Sequence, residues 1–241
     1  SSTYSSLSFR NIGPAVTSGR IIDICVNPRN KSEWYVASAS GGVFKTQNAG
    51  VTFEPIFDKQ NVYSIGCLAI DAQNTNVIWV GSGENNNQRS VAYGDGVYKS
   101  EDGGKSWKNM GLTKSEHIGQ IAIDPKNSDV VYVAAYGPLW NGGGERGIYK
   151  TSDGGKTWTQ ILKVSDNTGF NEIHIDPHHN NILYACAHQR RRHEWAYISG
   201  GPESAIYKST DAGATWTHLG LDSTRITSKI IVDPKDSKII Y

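Results

Sequence analysis

Three cysteines in 241 residues, Cys25, Cys67 and Cys186, are an odd number set far apart. They exclude a disulfide framework standing in for a hydrophobic core, and they read as small buried apolar residues in strand-like stretches. Long apolar runs are missing as well, and none approaches the roughly 20 residues a helix needs to cross a bilayer. Charge of one sign is lacking: 24 Lys+Arg stand against 23 Asp+Glu, a net +1, which excludes a broadly basic grip on nucleic acid. Residues 1–8 are polar and carry no basic-then-apolar leader, which leaves a cytoplasmic protein or one whose signal has been removed. Helical periodicity is nearly absent. What the chain does have is 26 Gly, 12 Tyr, 7 Trp and short runs rich in Ile and Val, the composition of β structure.

Self-comparison finds one unit four times and the start of a fifth. In each unit an aromatic-Lys-Ser/Thr segment runs into a turn and ends on an aromatic nine residues on, as in Phe44 and Phe53, Tyr98 and Trp107, Tyr149 and Trp158, and Tyr207 and Trp216. An Asp-Pro-like turn followed by an aromatic eight residues later also recurs, beginning at Asn27, Asp71, Asp124, Asp176 and Asp233. From the end of the first piece to the next turn the spacing is 17 or 18 residues (Phe53 to Asp71, Trp107 to Asp124, Trp158 to Asp176, Trp216 to Asp233). The remaining gap runs 9, 19, 17 and 23 residues (Tyr35 to Phe44, Trp79 to Tyr98, Tyr132 to Tyr149, Tyr184 to Tyr207), so nearly all length variation falls in one loop.

Four short strands fit each unit; in the third they are expected over 118–123, 130–135, 147–151 and 157–162, bounded by Gly, Pro, Asn or Asp. Four antiparallel strands in about 50 residues is the size of one blade of a β-propeller. The expectation is therefore an all-β propeller of four-stranded antiparallel blades, over about 20–57, 64–110, 118–162 and 170–219, with a fifth beginning at 226–241. Residues 7–12 are a candidate outer strand for the last blade. Four blades and part of a fifth do not close a ring, and an open sheet edge is avoided in nature. A fragment of a larger propeller is expected, with further blades from a longer chain or a partner.

The turns between third and fourth strands read Ser100-Glu-Asp-Gly-Gly-Lys-Ser-Trp107, Thr151-Ser-Asp-Gly-Gly-Lys-Thr-Trp158 and Ser209-Thr-Asp-Ala-Gly-Ala-Thr-Trp216. They resemble the Asp-box (BNR) motif, Ser/Thr-x-Asp-x-Gly-x-Thr-Trp, of sialidases and sortilin-like Vps10 propellers. The first copy, Thr46-Gln-Asn-Ala-Gly-Val-Thr-Phe53, has Asn48 in the acid position. Asp102, Asp153 and Asp211, with Asn48, are expected to staple the turn by accepting backbone N–H bonds, because a catalyst has no reason to recur in every blade. The glycines can take positive φ and the tryptophans can bury large areas between sheets.

In such a topology the loops between second and third strands, 81–96, 136–147 and 187–205, gather on one face with the blade connections 57–64, 111–118 and 163–170, away from the Asp boxes. Binding is commonly placed on long loops over a rigid scaffold, and aromatics and arginines are enriched in interaction hot spots. The candidate ligand-binding residues are Glu84, Asn85, Asn86, Asn87, Arg89, Tyr93, Trp140, Arg146, Arg190, Arg191, Arg192 and Trp195. For Trp140 and Trp195, packing between loops and stacking on a sugar or peptide both stand open. Arg190–Arg192 lies beside Glu194 and Glu203, so no nucleic acid is expected. His188 and His193 lack zinc spacing, and no metal or cofactor is expected.

With Ser8-Phe-Arg-Asn-Ile-Gly-Pro14 and Gly94-Asp-Gly-Val-Tyr-Lys-Ser100, the chain is similar across almost its whole length to secreted bacterial proteins with sortilin-like Vps10 or BNR propellers, many labelled glycosyl hydrolases. The resemblance implies an extracytoplasmic, non-catalytic propeller that receives a peptide, protein or glycan on the loop face. The alternative is a glycoside hydrolase, sialidase-like or xyloglucanase-like, whose two carboxyls would come from Glu84, Asp95, Glu145 and Glu203. A sialidase implies an arginine triad, of which Arg10 is the one resembling element. A xyloglucanase-like enzyme implies an acid in an early blade turn, where Asn48 stands. An assembly-factor role like that of photosystem-associated propellers is a third reading.

Overall fold

The computed structural model describes residues 20–86, 88, 90–220 and 229–241. It is all-β and consists of successive antiparallel sheets in simple meander order. The first blade is β1 (Ile21–Val26), β2 (Trp34–Ser38), β3 (Gly42–Thr46) and β4 (Glu54–Pro55). The second is β5 (Ile65–Ile70), β6 (Ile78–Ser82), β7 (Val97–Ser100) and β8 (Lys108–Asn109), and the third is β9 (Ile118–Ile123), β10 (Val131–Ala135), β11 (Gly147–Thr151) and β12 (Thr159–Leu162). The fourth is β13 (Thr168–Ile175), β14 (Leu183–Arg192), β16 (Ala205–Ser209) and β17 (Thr217–His218), with β15 (Tyr197–Ser199) paired to the far end of β14. A fifth unit begins with the Val232–Ile240 bridge, and Ile230 is buried against Tyr184 and Cys186 of the fourth blade. The proposed outer strand at 7–12 lies outside the described residues.

The first strands β1, β5, β9 and β13 neighbour one another in that order, which is the inner ring of a propeller sector. The core consists of layers between blades. Tyr35, Val43, Phe57, Ile65, Ile78 and Tyr98 fill the first; Trp79, Val97, Ile118, Val131 and Val133 the second; Tyr132, Ile148, Phe170, Ile173 and Leu183 the third. At two inner positions a side chain also crosses to the next blade: Asp23 of blade one accepts from Leu68 N–H and Gln120 of blade three from Ile173 N–H, both at 2.8 Å.

The Asp boxes act as staples within and between blades. Asp102 accepts from Ser106 N–H, Asp153 from Thr157 N–H and Asp211 from Thr215 N–H at 2.8–2.9 Å, and Asn48 does the same with Thr52 N–H. The hydroxyls of Ser106, Thr157 and Thr215, donating to the same acids, and then these backbone bonds hold the acids of all three intact boxes below their ordinary pKa, Asp102 and Asp211 at about 2. Two of the motif tryptophans reach back: Trp107 Nε1 donates to Ile56 O and Trp158 Nε1 to Met110 O, each at 2.8 Å. In the opposite sense Lys45, Lys99 and Lys150 sit over Tyr35, Trp79 and Tyr132 and donate to the next box at Gly103 O, Gly154 O and Ala212 O. Asp boxes bond to the turns between first and second strands, as in Gly154 N–H to Asp129 O, which places both on the same end of the blades.

Candidate functional site

At the other end of the blades the variable loops meet. Gly94 N–H donates to Glu116 O and Gly143 N–H to Asp166 O, tying the loops of blades two and three to the connections leading into the following blade, while Glu145 N–H donates to Lys114 O in the connection leading into its own blade. Arg192 N–H donates to Leu139 O, joining the loops of blades three and four. Arg190, on β14, spans further: its Nη1 donates to Asn85 O at 3.2 Å and Asn86 O at 3.1 Å in the second blade. The loops of three blades thus close over one mouth, and Asn85 Nδ2 anchors its floor by donating to Gly66 O and Ile118 O at 3.0 and 2.9 Å.

Close approach here depends on glycine. A Cβ on Gly83 would lie 1.9 Å from Glu116 O, and one on Gly169 would lie 2.0 Å from Tyr136 O. Neither position admits another residue without moving backbone.

Under the mouth lies a cluster of buried polar side chains. Arg190 is fully buried with its guanidinium carbon 3.6 Å from the centre of the Tyr136 ring, and Tyr136 Oη is hydrogen-bonded to His188 Nδ1. Burial pushes the Tyr136 phenol up to about 12 and the His188 imidazole down to about 4, the latter aided by the Arg190 charge. His117, also buried, is held well below the usual range by desolvation, then by Arg190 and Arg146. Among the described residues, its Nδ1 and the Oδ1 of Asn85 are buried without a hydrogen-bond partner. Arg146 is likewise fully buried and donates to the carbonyls of Tyr136, Pro138, Asn141 and Gly143, so it clamps its own loop. Desolvation lowers both buried arginines to about 10, where they remain cations at neutral pH.

The four candidate carboxylates are separated by this architecture. Asp95 accepts from Tyr98 Oη at 2.7 Å, Glu145 from Lys114 N–H at 2.7 Å, and Glu203 from Ser165 Oγ at 2.6 Å and from Thr168 Oγ1; all three hold loops in place. Glu84 differs: it is buried at the mouth, paired with the exposed guanidinium of Arg20 and with Asn86 Nδ2. Glu116, which sequence reasoning missed, is half-buried, and desolvation raises its carboxyl while Arg146 opposes the rise. Nothing in a Ser-Glu-His connection marks that carboxyl; its segment meets the Glu84 loop through the backbone, where Gly83 packs against Glu116 O.

Of the other candidate ligand residues, Tyr93, Trp140 and Trp195 are exposed and Arg191 and Arg192 partly so. Asn85 and Asn86 are half-buried, while Asn87, Arg89 and Arg10 lie outside the described residues. Arg146 and Arg190 differ from the expectation of exposed contacts, because each satisfies loop carbonyls that a buried turn cannot leave open. The segment 187–205 also differs from the expected loop: β14 continues to Arg192 and β15 pairs back on it. Among the described residues no His, Cys, Asp and Glu cluster could hold a metal. No described helix is long and apolar enough to cross a membrane.

The family model Sortilin-Vps10 (sortilin, neurotensin receptor 3) matches residues 95–241. The chain belongs to the Sortilin-Vps10 family. This Sortilin-Vps10 chain is also similar, at 22% identity over 231 residues, to a probable oligoxyloglucan-reducing end-specific xyloglucanase of Neosartorya fischeri, covering 91% of this chain and 26% of that protein. It is 24% identical over 246 residues to a xyloglucanase of Hypocrea jecorina, covering 89% and 28%. Among solved structures, an ancestral GH74 enzyme superposes with a TM-score of 0.70 at 21% identity over 90% of this chain and 28% of that one. The GH74 xyloglucanase of Xanthomonas campestris gives 0.63 at 18%, over 90% and 34%. At these identities the structural likeness establishes the propeller fold. The Sortilin-Vps10 chain spans about a quarter of the length of the relatives it matches.

Proposed function

We propose that this chain supplies a glycan-binding loop face to a glycoside hydrolase of xyloglucanase type. The observation that carries the proposal is the similarity to xyloglucanases over about nine-tenths of the chain, which includes every loop that meets at the mouth. Glycoside hydrolysis uses two carboxyl groups whose environments hold one protonated and one ionised. Glu84, paired with Arg20, suits the ionised role, and Glu116, raised by burial, suits the acid. Asp95, Glu145 and Glu203 take the structural part of the candidate set, since their oxygens are engaged in loop bonds. An extracytoplasmic location accompanies a polymeric glycan substrate, and blades from elsewhere in a longer chain or from a partner would complete the ring.

A second reading, recognition without hydrolysis of a glycan, peptide or protein, is favoured by one observation: three of the four loop acids named from the sequence are committed to holding loops. The deciding assay is release of reducing ends from xyloglucan by the protein as the cell makes it. Hydrolysis abolished in Glu84→Gln and Glu116→Gln supports the catalytic proposal. Binding of xyloglucan with no hydrolysis selects the second reading, and hydrolysis unaffected by either change removes both residues from the chemistry.

A further inference from the structure

Among the described residues, the fourth blade carries a feature the other three lack. The strand β14 outruns its sheet and folds back with β15 as a hairpin, pairing Arg190 with Ser199, Arg191 with Ile198 and Arg192 with Tyr197. The tip, His193–Ala196, is closed by His193 N–H donating to Ala196 O at 2.9 Å. Directly paired residues share a face of a two-stranded sheet, so Arg190, Arg192, Tyr197 and Ser199 lie on one side and Arg191 and Ile198 on the other. Arg190 fixes which way the first side looks, because it packs on Tyr136 and reaches the carbonyls of Asn85 and Asn86 at the mouth.

Aromatic rings and guanidinium groups alternate up this wall. Arg190 covers Tyr136 at the buried base, and Arg192 stands 5.1 Å from the centre of the Tyr197 ring above it. At the tip the rings of His193 and Trp195 are stacked with centroids 5.5 Å apart and planes 13° from parallel. Trp195 is nevertheless 83% exposed and Tyr197 52%. The hairpin is braced against the rest of the loop face by Arg192 N–H to Leu139 O, beside the exposed Trp140, and by Arg191 Nη2 to Asn167 Oδ1.

An indole left in water forgoes about 25 cal/mol for each Å² of apolar area it could bury. Here the ring is backed on one side and braced at its base, so little freedom remains to be lost when its other side is covered. Peptide side chains bind as anchors in desolvated pockets. These rings are presented instead with one face covered, Tyr197 by Arg192 and Trp195 by His193, and much of the remaining surface open to solvent, which matches the C–H face of a pyranose.

We infer that the β14–β15 hairpin is a sugar-stacking wall of the loop face, with Trp195 and Tyr197 each receiving a pyranose ring of a neutral glycan and Arg192 holding Tyr197 in place. The inference rests on the glycan reading of the mouth and adds to it the element and the side chains that take the sugar rings.

The test is titration calorimetry of the protein with a xyloglucan oligosaccharide, for the wild type and for Trp195→Ala, Tyr197→Ala and Trp195→Phe. Both alanine variants are expected to bind about tenfold more weakly, with Trp195→Phe within about threefold of wild type, since a stacked aromatic contact of this kind is worth on the order of a factor of ten. Melting temperatures should stay at the wild-type value, because both rings are exposed. If the wild type binds and both alanine variants bind equally well, the wall is refuted and the glycan reading survives. If the wild type does not bind the oligosaccharide, both are refuted. Binding of peptides through these two rings in place of xyloglucan would also refute the sugar assignment.

Discussion

Replacing Arg190 by Met keeps an unbranched chain in the same space and removes the guanidinium that ties blade four to blade two. Two charge-assisted bonds to Asn85 O and Asn86 O are lost, each worth about 1.5–3 kcal/mol. The stack on Tyr136 contributes on the order of 2 kcal/mol for a desolvated cation. Against these stands the recovered cost of burying a charge, several kcal/mol, so the net loss is about 1–3 kcal/mol. For a chain of this size that lowers Tm by roughly 2–12 °C. The location of the effect discriminates better than its size. The freed carbonyls belong to the 83–96 loop, so its amides should exchange with deuterium about tenfold faster while β5 and β6 stay protected. Uniform acceleration throughout the blades, or no change in that loop, would refute Arg190 as the tie between them.

Gly155→Ala should be among the most damaging single-methyl additions: φ is +94° and the new Cβ would lie 2.6 Å from Trp79 Cη2, so a loss of about 2–4 kcal/mol is expected in urea melts. Gly143→Ala, at φ +74° with nothing within 4 Å, should cost only about 1 kcal/mol. Stability should fall as pH drops from about 6.5 toward 4, because unfolded His188 and His117 take up protons that the folded ones refuse; His188→Gln should make that decline shallower in pH-dependent melts, leaving the part due to His117. Below it, the depressed Asp-box acids lose their contribution as pH falls from about 4 through about 2, and Asp102→Asn, which imitates Asn48, should make this second decline shallower, with Asp153 and Asp211 still contributing.

The blades were legible because each is specified by residues close in sequence. Asp, Gly and Trp at fixed offsets define a turn, and the periodic Ile and Val define strands whose register that turn sets. Asn48 shows how far this local logic reaches, since an amide oxygen accepts the same Thr52 N–H as the acids of later blades accept from their counterparts. The mouth was legible only as a gathering of loops. Its interior depends on contacts across blades, such as Arg190 with residues about a hundred positions earlier, and no local pattern separates that arginine from its more exposed neighbours Arg191 and Arg192. The hairpin within 187–205 is hard to read from sequence because its paired arms are only three residues each and one is all arginine, with no apolar alternation to mark them.

Covalent footprinting of the protein with and without a xyloglucan oligosaccharide bears most directly on the loop face as a glycan site. Protection is expected in 83–96, 136–147 and 187–205 together, with the Asp-box turns at 100–107, 151–158 and 209–216 labelled as before. Protection confined to the Asp-box end, or labelling unchanged by the sugar, would contradict the assignment.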